Sequence, residues 1–364
     1  MSHHVVMPAL LKDAPRRGVG RYVSHLATHL ADRGHTIEVI GTRHMRAWFE
    51  GTGVIFRGSD ASNVLYRNLV MGLTVLRGTG IVHCPDTTFV PVKRALTVTT
   101  VHDIMEWSQP EKYGKAQRLA RCAESFSCLV NSAAVIVPSH KTRADILERW
   151  PNRDSVLRVI PNGATGQPEG KPVRPFVLTV GAVEPGKGLE TLVECIPRNY
   201  PLNWVIAGPI RSHTLRDYLV ERGSGRGFTM EMRGFVSEEE LETLYQTCWT
   251  VVQPSRTEGF GFPIAEALVR GKPVVIPTGS PLDGIAEHAV TFASQADLGA
   301  ILESLPDIGP SLQQAELQDA QRLQRCLSWS AAAEQTEAFS WKTEPTRSPI
   351  RAPPIRANLL SGDP

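Results

Sequence analysis

The sequence predicts an α/β protein of two parallel-sheet domains. Three observations carry that prediction: a length of 364 residues, short β-branched runs alternating with helical patterns, and opposite net charge in the two halves. Domains run to about 150 residues, so this length suggests two. Apolar residues make up 41% and charged residues 21%, a globular composition that excludes collagen, coiled coil and long disorder. Residues 1–165 hold 21 Lys+Arg against 13 Asp+Glu, a net of +8; residues 166–364 hold 18 against 24, a net of −6. Halves of opposite sign suggest domains with different partners.

In the first half, His4–Leu10 is an apolar run and residues 11–19 read as a loop. Tyr22, Val23, Leu26 and Leu30 then mark one helical face, which Gly34 ends. Strand-like runs follow at Thr36–Ile40, Ile81–Cys84, Leu96–Val101 and Val135–Pro138, with helices expected over Lys115–Ser132 and Lys141–Arg149. This βαβ alternation predicts a mostly parallel sheet covered by helices. Residues 164–174 carry Gly, Pro and charge without apolar period and read as the linker between a domain over 1–163 and one over 175–342. There, strands are expected at Phe176–Val180, Trp204–Ala207, Phe228–Met232, Thr250–Gln253, Pro273–Ile276 and Val290–Phe292. Helices are expected at Leu189–Ile196, Glu238–Cys248, Pro263–Gly271 and, as one long element that packs back on the first domain, near Leu312–Phe339. The Pro-rich residues 343–364 bury little and are expected to be disordered.

Several function classes are excluded. No run of about 18 uncharged apolar residues is present, so no membrane span is expected. The start Met1-Ser2-His3-His4 lacks a basic segment followed by an apolar one, so a cytoplasmic location is expected. The six Cys (84, 122, 128, 195, 248 and 326) have no metal-cluster spacing and read as free thiols. His25 and His29 lie four apart, but Leu26 stands where a zinc hydrolase has Glu; no metal is expected. Basic residues are not interleaved with aromatics as in a nucleic-acid module, so no nucleic-acid partner is expected.

The most informative segment is Pro254-Ser-Arg-Thr-Glu-Gly-Phe-Gly-Phe-Pro-Ile-Ala-Glu266. A strand stops at Pro254, a Gly-rich loop follows, and Pro263 sits where a helix begins. Helix N-terminal N–H groups suit a phosphate, and Gly259 and Gly261 let a ligand approach the backbone. Glu266 lies one turn into the helix and leans back toward the rim that holds Glu258. Two acceptor-only carboxylates suit sugar and ribose diols; a capping and salt-bridging pair is the equally simple structural reading.

The pattern E-G-F-G-F-P-x-x-E-A-x-x-x-G-x-P-V-V, continued by Gly279-Ser280-Pro281, resembles the nucleotide-sugar signature of the retaining family 4 glycosyltransferases. Arg233–Leu241 resembles the family's base-binding strand end, and Val159–Gly163 its stretch before the linker; the likeness covers roughly residues 5–342. It implies the GT-B fold, with two Rossmann-like domains facing across a cleft. It also implies a nucleoside-diphosphate sugar as donor substrate, no cofactor, and a glycan or lipid-linked acceptor. By resemblance, Glu258, Gly259, Phe260, Gly261, Phe262, Glu266, Phe235 and Val236 face the donor.

Gly181–Gly188 follows the first strand of the second domain, and Lys187 is placed to meet a diphosphate as a point charge. Ala182 and Gly186 stand where many family members carry Arg, and Arg256 is expected to supply the missing charge. His102-Asp103 closes the strand Leu96–Val101; in the family such a pair has its His near the transferred sugar, with Asp orienting the imidazole. A turn in which Asp103 caps the next segment is the alternative. Ile104–Tyr113 is similar to the family branch that builds bacterial surface polysaccharides, often mannosyltransferases. Gly18 and Gly20 lack the rest of a dinucleotide fingerprint; by resemblance they lie over donor and acceptor. Arg43, Arg46, Trp48, Phe49, Phe56 and Arg57 are close in the basic half and suggest peripheral contact with an anionic membrane. Competing readings are a GT-B epimerase or hydrolase, or a non-catalytic sugar-nucleotide-binding scaffold.

Overall fold

A computed structural model describes residues 2–9, 18–58, 80–87, 96–168 and 176–341; the loop before Gly18 and the Pro-rich tail fall outside them. Two compact units emerge. The first takes in described residues up to Val137, residues 145–159 and the chain from Ala333; the second takes in residues 138–144 and 160–332.

The first unit holds strands β1 (His4–Ala9), β2 (Thr36–Gly41), β3 (Ile55–Gly58), β4 (Ile81–Cys84), β5 (Leu96–Thr100), β6 (Ala134–Val137) and β7 (Leu157–Val159). Their order is β3-β2-β1-β4-β5-β6-β7 and each pairing is parallel. Helices α1 (Val19–Asp32), α2 (Met105–Ser108), α3 (Lys115–Asn131) and α4 (His140–Arg149, which begins within 138–144) connect them. Val101, Ile104, Leu129, Val135, Val137, Ile146 and Leu157 form one of its cores. β3 and β7 were not expected. They are edge strands of four and three residues with exposed Arg57 and Arg158, too short and too polar to show a period.

The second unit holds β8 (Phe176–Val180), β9 (Asn203–Ala207), β10 (Met230–Gly234), β11 (Thr250–Val252), β12 (Val274–Pro277) and β13 (Val290–Phe292) in the order β10-β9-β8-β11-β12-β13, again all parallel. Its helices are α5 (Leu189–Cys195), α6 (His213–Gly225), α7 (Glu238–Thr247), α8 (Phe262–Leu268) and α9 (Gln295–Cys326); α10 (Trp329–Ser340) begins in it. Leu178, Val205, Val251 and Val274 pack on one face, and Val177, Trp204, Ile206, Val252 and Val275 on the other. Both faces are therefore covered, as a parallel sheet requires.

The expected long helix near Leu312–Phe339 is two helices. The break falls at Leu327–Ser328, where the Leu327 carbonyl accepts from the Ala164 amide (2.7 Å) and Ser328 Oγ accepts from the Ala331 amide (3.0 Å). α9 also starts earlier than expected, because Ser294 and Asp297 form a capping box.

In each sheet the strand order reverses once, between β1 and β4 and between β8 and β11. Open α/β sheets bind ligands at such a reversal, beyond the carboxyl ends of the strands. The loops after β8 and β11 are therefore a candidate site, and so is the region beyond β1, β4 and β5.

Candidate functional site

In the second unit, the loops leaving β8 and β11 meet through one glycine. Gly188 has φ +78°, and a Cβ there would lie 2.6 Å from the Pro254 carbonyl oxygen, so only glycine allows the approach. Lys187 is thereby set beside the loop that follows Pro254. Its Nζ donates to Glu258 Oε1 at 2.9 Å, with the two side chains 26% and 21% exposed. Two residues 71 positions apart are brought into one ion pair at the strand-order reversal.

Glu266 lies in α8, which Gly261 enters in the left-handed conformation (φ +83°) with Pro263 in the first turn. Glu266 is buried, and its Oε2 accepts from the Tyr245 hydroxyl at 2.9 Å. The Gly259 carbonyl accepts from Ser139 Oγ (2.8 Å) in the 138–144 segment of this unit. Phe260 is buried in the core against Phe262, which stacks on Trp329, so Phe260 presents only its main chain. Phe235 is 59% exposed beyond β10, while Val236 packs partly on the core.

Arg256 is engaged elsewhere. It donates to the Ala293 carbonyl (2.7 Å) and lies over the Phe292 ring. Its neighbours were missed by the sequence reading: Ser255 Oγ and Thr257 Oγ1 are buried with no hydrogen-bond partner among the described residues. Their signal was position alone, within the same Ser-Arg-Thr-Glu stretch.

In the first unit, His102 and Asp103 follow β5. His102 Nε2 lies 2.9 Å from the Pro85 carbonyl, which only accepts, so Nε2 carries the proton and Nδ1 is the acceptor nitrogen of the neutral ring. Burial lowers the His102 pKa, and the Pro85 carbonyl, Asp103 and Asp86 offset part of that. Asp103 Oδ1 accepts from the Met105 amide at 3.1 Å, the capping turn held open above. The Tyr22 ring meets His102 edge-on, with centroids 4.9 Å apart. Behind it, the Tyr22 hydroxyl reaches Thr100 Oγ1 (2.7 Å) and His83 Nε2 (3.3 Å), and His83 reaches Thr100 (2.9 Å). Burial, with His102 adding, pushes the His83 pKa down to about 3. Gly18 (φ +50°) opens α1 and its carbonyl accepts from the Tyr22 amide; Gly20, the second residue of the helix, is buried.

Of the basic-aromatic cluster, Phe49 is buried and stacks on Phe56, and Arg57 pairs with Glu38. Arg43 and Arg46 are exposed, and Arg46 lies over Phe56. Among the described residues no helix is long and apolar enough to cross a membrane, and no group of three His, Cys, Asp or Glu could hold a metal ion.

Residues 16–165 match the Glycosyltransferase Family 4 model, and residues 166–303 match the model of glycosyl transferases group 1. The chain is 29% identical over 245 residues to the O-antigen chain mannosyltransferase B of Escherichia coli, covering 60% of this chain and 64% of the relative. It is 25% identical over 217 residues to the MMP alpha-(1->4)-mannosyltransferase of Mycolicibacterium hassiacum, covering 56% and 53%. The matches thus span less than two thirds of these relatives. In fold, the chain is similar to Anabaena Alr3699/HepE, solved with UDP and glucose, at a TM-score of 0.72 and 16% identity over 92% of this chain and 98% of that one.

Proposed function

The chain belongs to the family 4-like glycosyltransferases of GT-B fold, and from that premise we propose a retaining enzyme that uses a nucleoside-diphosphate sugar. Its acceptor is a glycan or lipid-linked saccharide, in polysaccharide or glycoconjugate synthesis, and its transferred sugar is mannose-like. The names of the two mannosyltransferase relatives support the sugar class. The ligands of the Anabaena structure support a nucleotide-sugar donor. The observation that carries the reading is the Lys187–Glu258 contact at the strand-order reversal, a cation and a carboxylate on adjacent loops.

Transfer breaks the bond between the anomeric carbon and the diphosphate oxygen. Negative charge grows on the leaving diphosphate, and catalysis comes from groups already oriented to receive it. Lys187 is that group, with the main-chain N–H groups after Gly259. On donor binding Lys187 turns from Glu258 to the diphosphate, and Glu258 takes sugar hydroxyls and the positive anomeric centre. Both side chains are partly exposed, so separating them costs little, about 1 kcal/mol or less. Glu266 holds the ribose hydroxyls, and the exposed Phe235 and the half-buried Val236 lie against the base. The acceptor oxygen bonds the anomeric carbon on the face the diphosphate leaves, and its proton passes to the leaving phosphate. His102, neutral, accepts from a sugar hydroxyl through Nδ1. The Arg256 guanidinium adds charge near the diphosphate only by leaving the Ala293 carbonyl. Nothing in the site favours an epimerase, a hydrolase or a binding scaffold. Exposed Arg43 and Arg46 remain the reason to propose peripheral contact with anionic lipid.

The test is transfer from a panel of sugar nucleotides by wild type, Glu258→Ala and Glu266→Ala. Loss of transfer in both folded variants is expected; wild-type transfer in both would remove the assignment.

A further inference from the structure

The Glu266 carboxylate does not stand alone. α7 carries Glu242 and Tyr245 three residues apart, hence on one face. Arg270, one turn beyond Glu266 and 4% exposed, joins both elements. Its Nε donates to Glu242 Oε1 at 3.1 Å, its Nη2 donates to Glu242 Oε2, and its Nη1 donates to the Glu266 main-chain carbonyl at 2.7 Å. The guanidinium carbon lies 4.7 Å from the Tyr245 ring centroid. Tyr245 is 1% exposed, and its hydroxyl reaches Glu266 Oε2 at 2.9 Å and the Pro263 carbonyl at 3.2 Å.

Each contact has a physical reason. A buried carboxylate needs hydrogen-bond donors, and a phenol supplies one without adding charge. A phenol ring turns about its Cβ axis unless packed. Here a planar cation covers its face, and a bidentate carboxylate holds that cation. The chain of support runs from Glu242 to Arg270 to Tyr245 to Glu266, and it closes on the Glu266 backbone.

Resting on the donor reading above, we infer that Tyr245 is a positioning residue that fixes the Glu266 carboxylate for the nucleoside's ribose, with Arg270 clamping Tyr245. A group oriented before the ligand arrives spares the ligand the cost of ordering it. The effect belongs to the nucleoside portion, so it is the same whatever sugar the donor carries. It appears in KM and in the affinity for free nucleoside diphosphate, and it leaves kcat near its wild-type value.

The experiment is calorimetric titration of UDP, GDP, ADP and CDP into wild type, Tyr245→Phe, Glu266→Ala and the double variant, with melting temperatures alongside. Tyr245→Phe keeps the ring and its cation, so the fold is retained. Wild type is expected to bind at least one diphosphate. Tyr245→Phe is expected to weaken that Kd about ten- to a hundred-fold, the worth of a hydrogen bond to a charged group. In the Glu266→Ala background it is expected to change Kd less than two-fold. Arg270→Lys, which keeps the charge and loses the fork and the stacking, is expected to weaken binding in the same direction. An unchanged Kd in Tyr245→Phe while Glu266→Ala weakens binding would overturn the inference and leave the donor reading standing. Equal losses from Tyr245→Phe with and without Glu266 would also overturn it, because a general structural role predicts that. No binding by wild type, or no effect of Glu266→Ala, would overturn the donor reading itself.

Discussion

The two strand-order reversals hold different kinds of polar chemistry. Beyond β8 and β11, Lys187 and Glu258 are charged, partly exposed and paired with each other. On β4, β5 and α1, His83, Thr100 and Tyr22 are uncharged, buried and bound to one another, with His102 against the Tyr22 ring. A partly exposed ion pair exchanges partners at little cost. A buried neutral network does not, because opening it strands polar groups away from water. The first arrangement suits a ligand that displaces one partner, and the second suits a fixed surface. The charge of the halves sharpens this: the phosphate-binding role proposed above falls to the acidic half, so it would rest on local groups such as Lys187, not on the overall field.

The comparison breaks most visibly at Lys187. Lys187→Ala removes the cation proposed to meet the diphosphate, and loss of one such donor costs on the order of 10² to 10³ in kcat. Steady-state transfer assays with Lys187→Ala and Lys187→Arg check this. Arg is expected to restore part of the rate, and a kcat unchanged in Lys187→Ala would remove the exchange from the mechanism. The same assay in the presence of EDTA is expected to show the full wild-type rate.

The buried network breaks with pH. His83 in the folded chain has its pKa pushed down to about 3 by burial. In the unfolded chain it titrates near its ordinary value of 6.5. Between these values the unfolded state binds more protons, so folding stability falls as pH drops from 6.5 toward 3. The contribution is fully present above pH 6.5 and amounts to several kcal/mol at most. Melting temperature against pH, for wild type and His83→Asn, measures it. The expected result is a shallower slope in the variant over that window.

Much of this was legible in the residues. The strand-loop-helix from Thr250 to Leu268 reads directly, since Pro254, Pro263 and the glycines punctuate it. The βα alternation reads because parallel strands are continuous apolar runs such as Phe176–Val180. Tyr245 and Arg270 did not read, because their role depends on α7 lying against α8, and no local period encodes that. One clue was present: Arg270 stands four residues after Glu266, just past an apolar helical run, a charge that must find a partner to be buried. α6 was missed because only Leu215 and Leu219 mark its buried side, among Gly, Ser and charged residues. The hydrogen-bonding role of His102 did not read either. The Pro85 carbonyl takes its Nε2 proton, a contact between two loops that no motif predicts.

The smallest effect tests a buried charge outside both sites. Glu316 in α9 is 0% exposed, and neither carboxylate oxygen has a hydrogen-bond partner among the described residues. Burial, with Asp319 adding and Arg322 opposing, raises its pKa to about 8. The folded state therefore binds the proton more tightly than the unfolded state, and stability is lost as pH rises from 4.5 through 8. Glu316→Gln keeps the shape and removes the charge. It is expected to match wild type in melting temperature at pH 4 and to exceed it by a few degrees at pH 8.5, while leaving donor affinity unchanged. A melting temperature lower than wild type at pH 8.5 would mean that the Glu316 carboxylate is charged and paired in the folded chain. It would then belong with Lys187 and Glu258 rather than with the buried network.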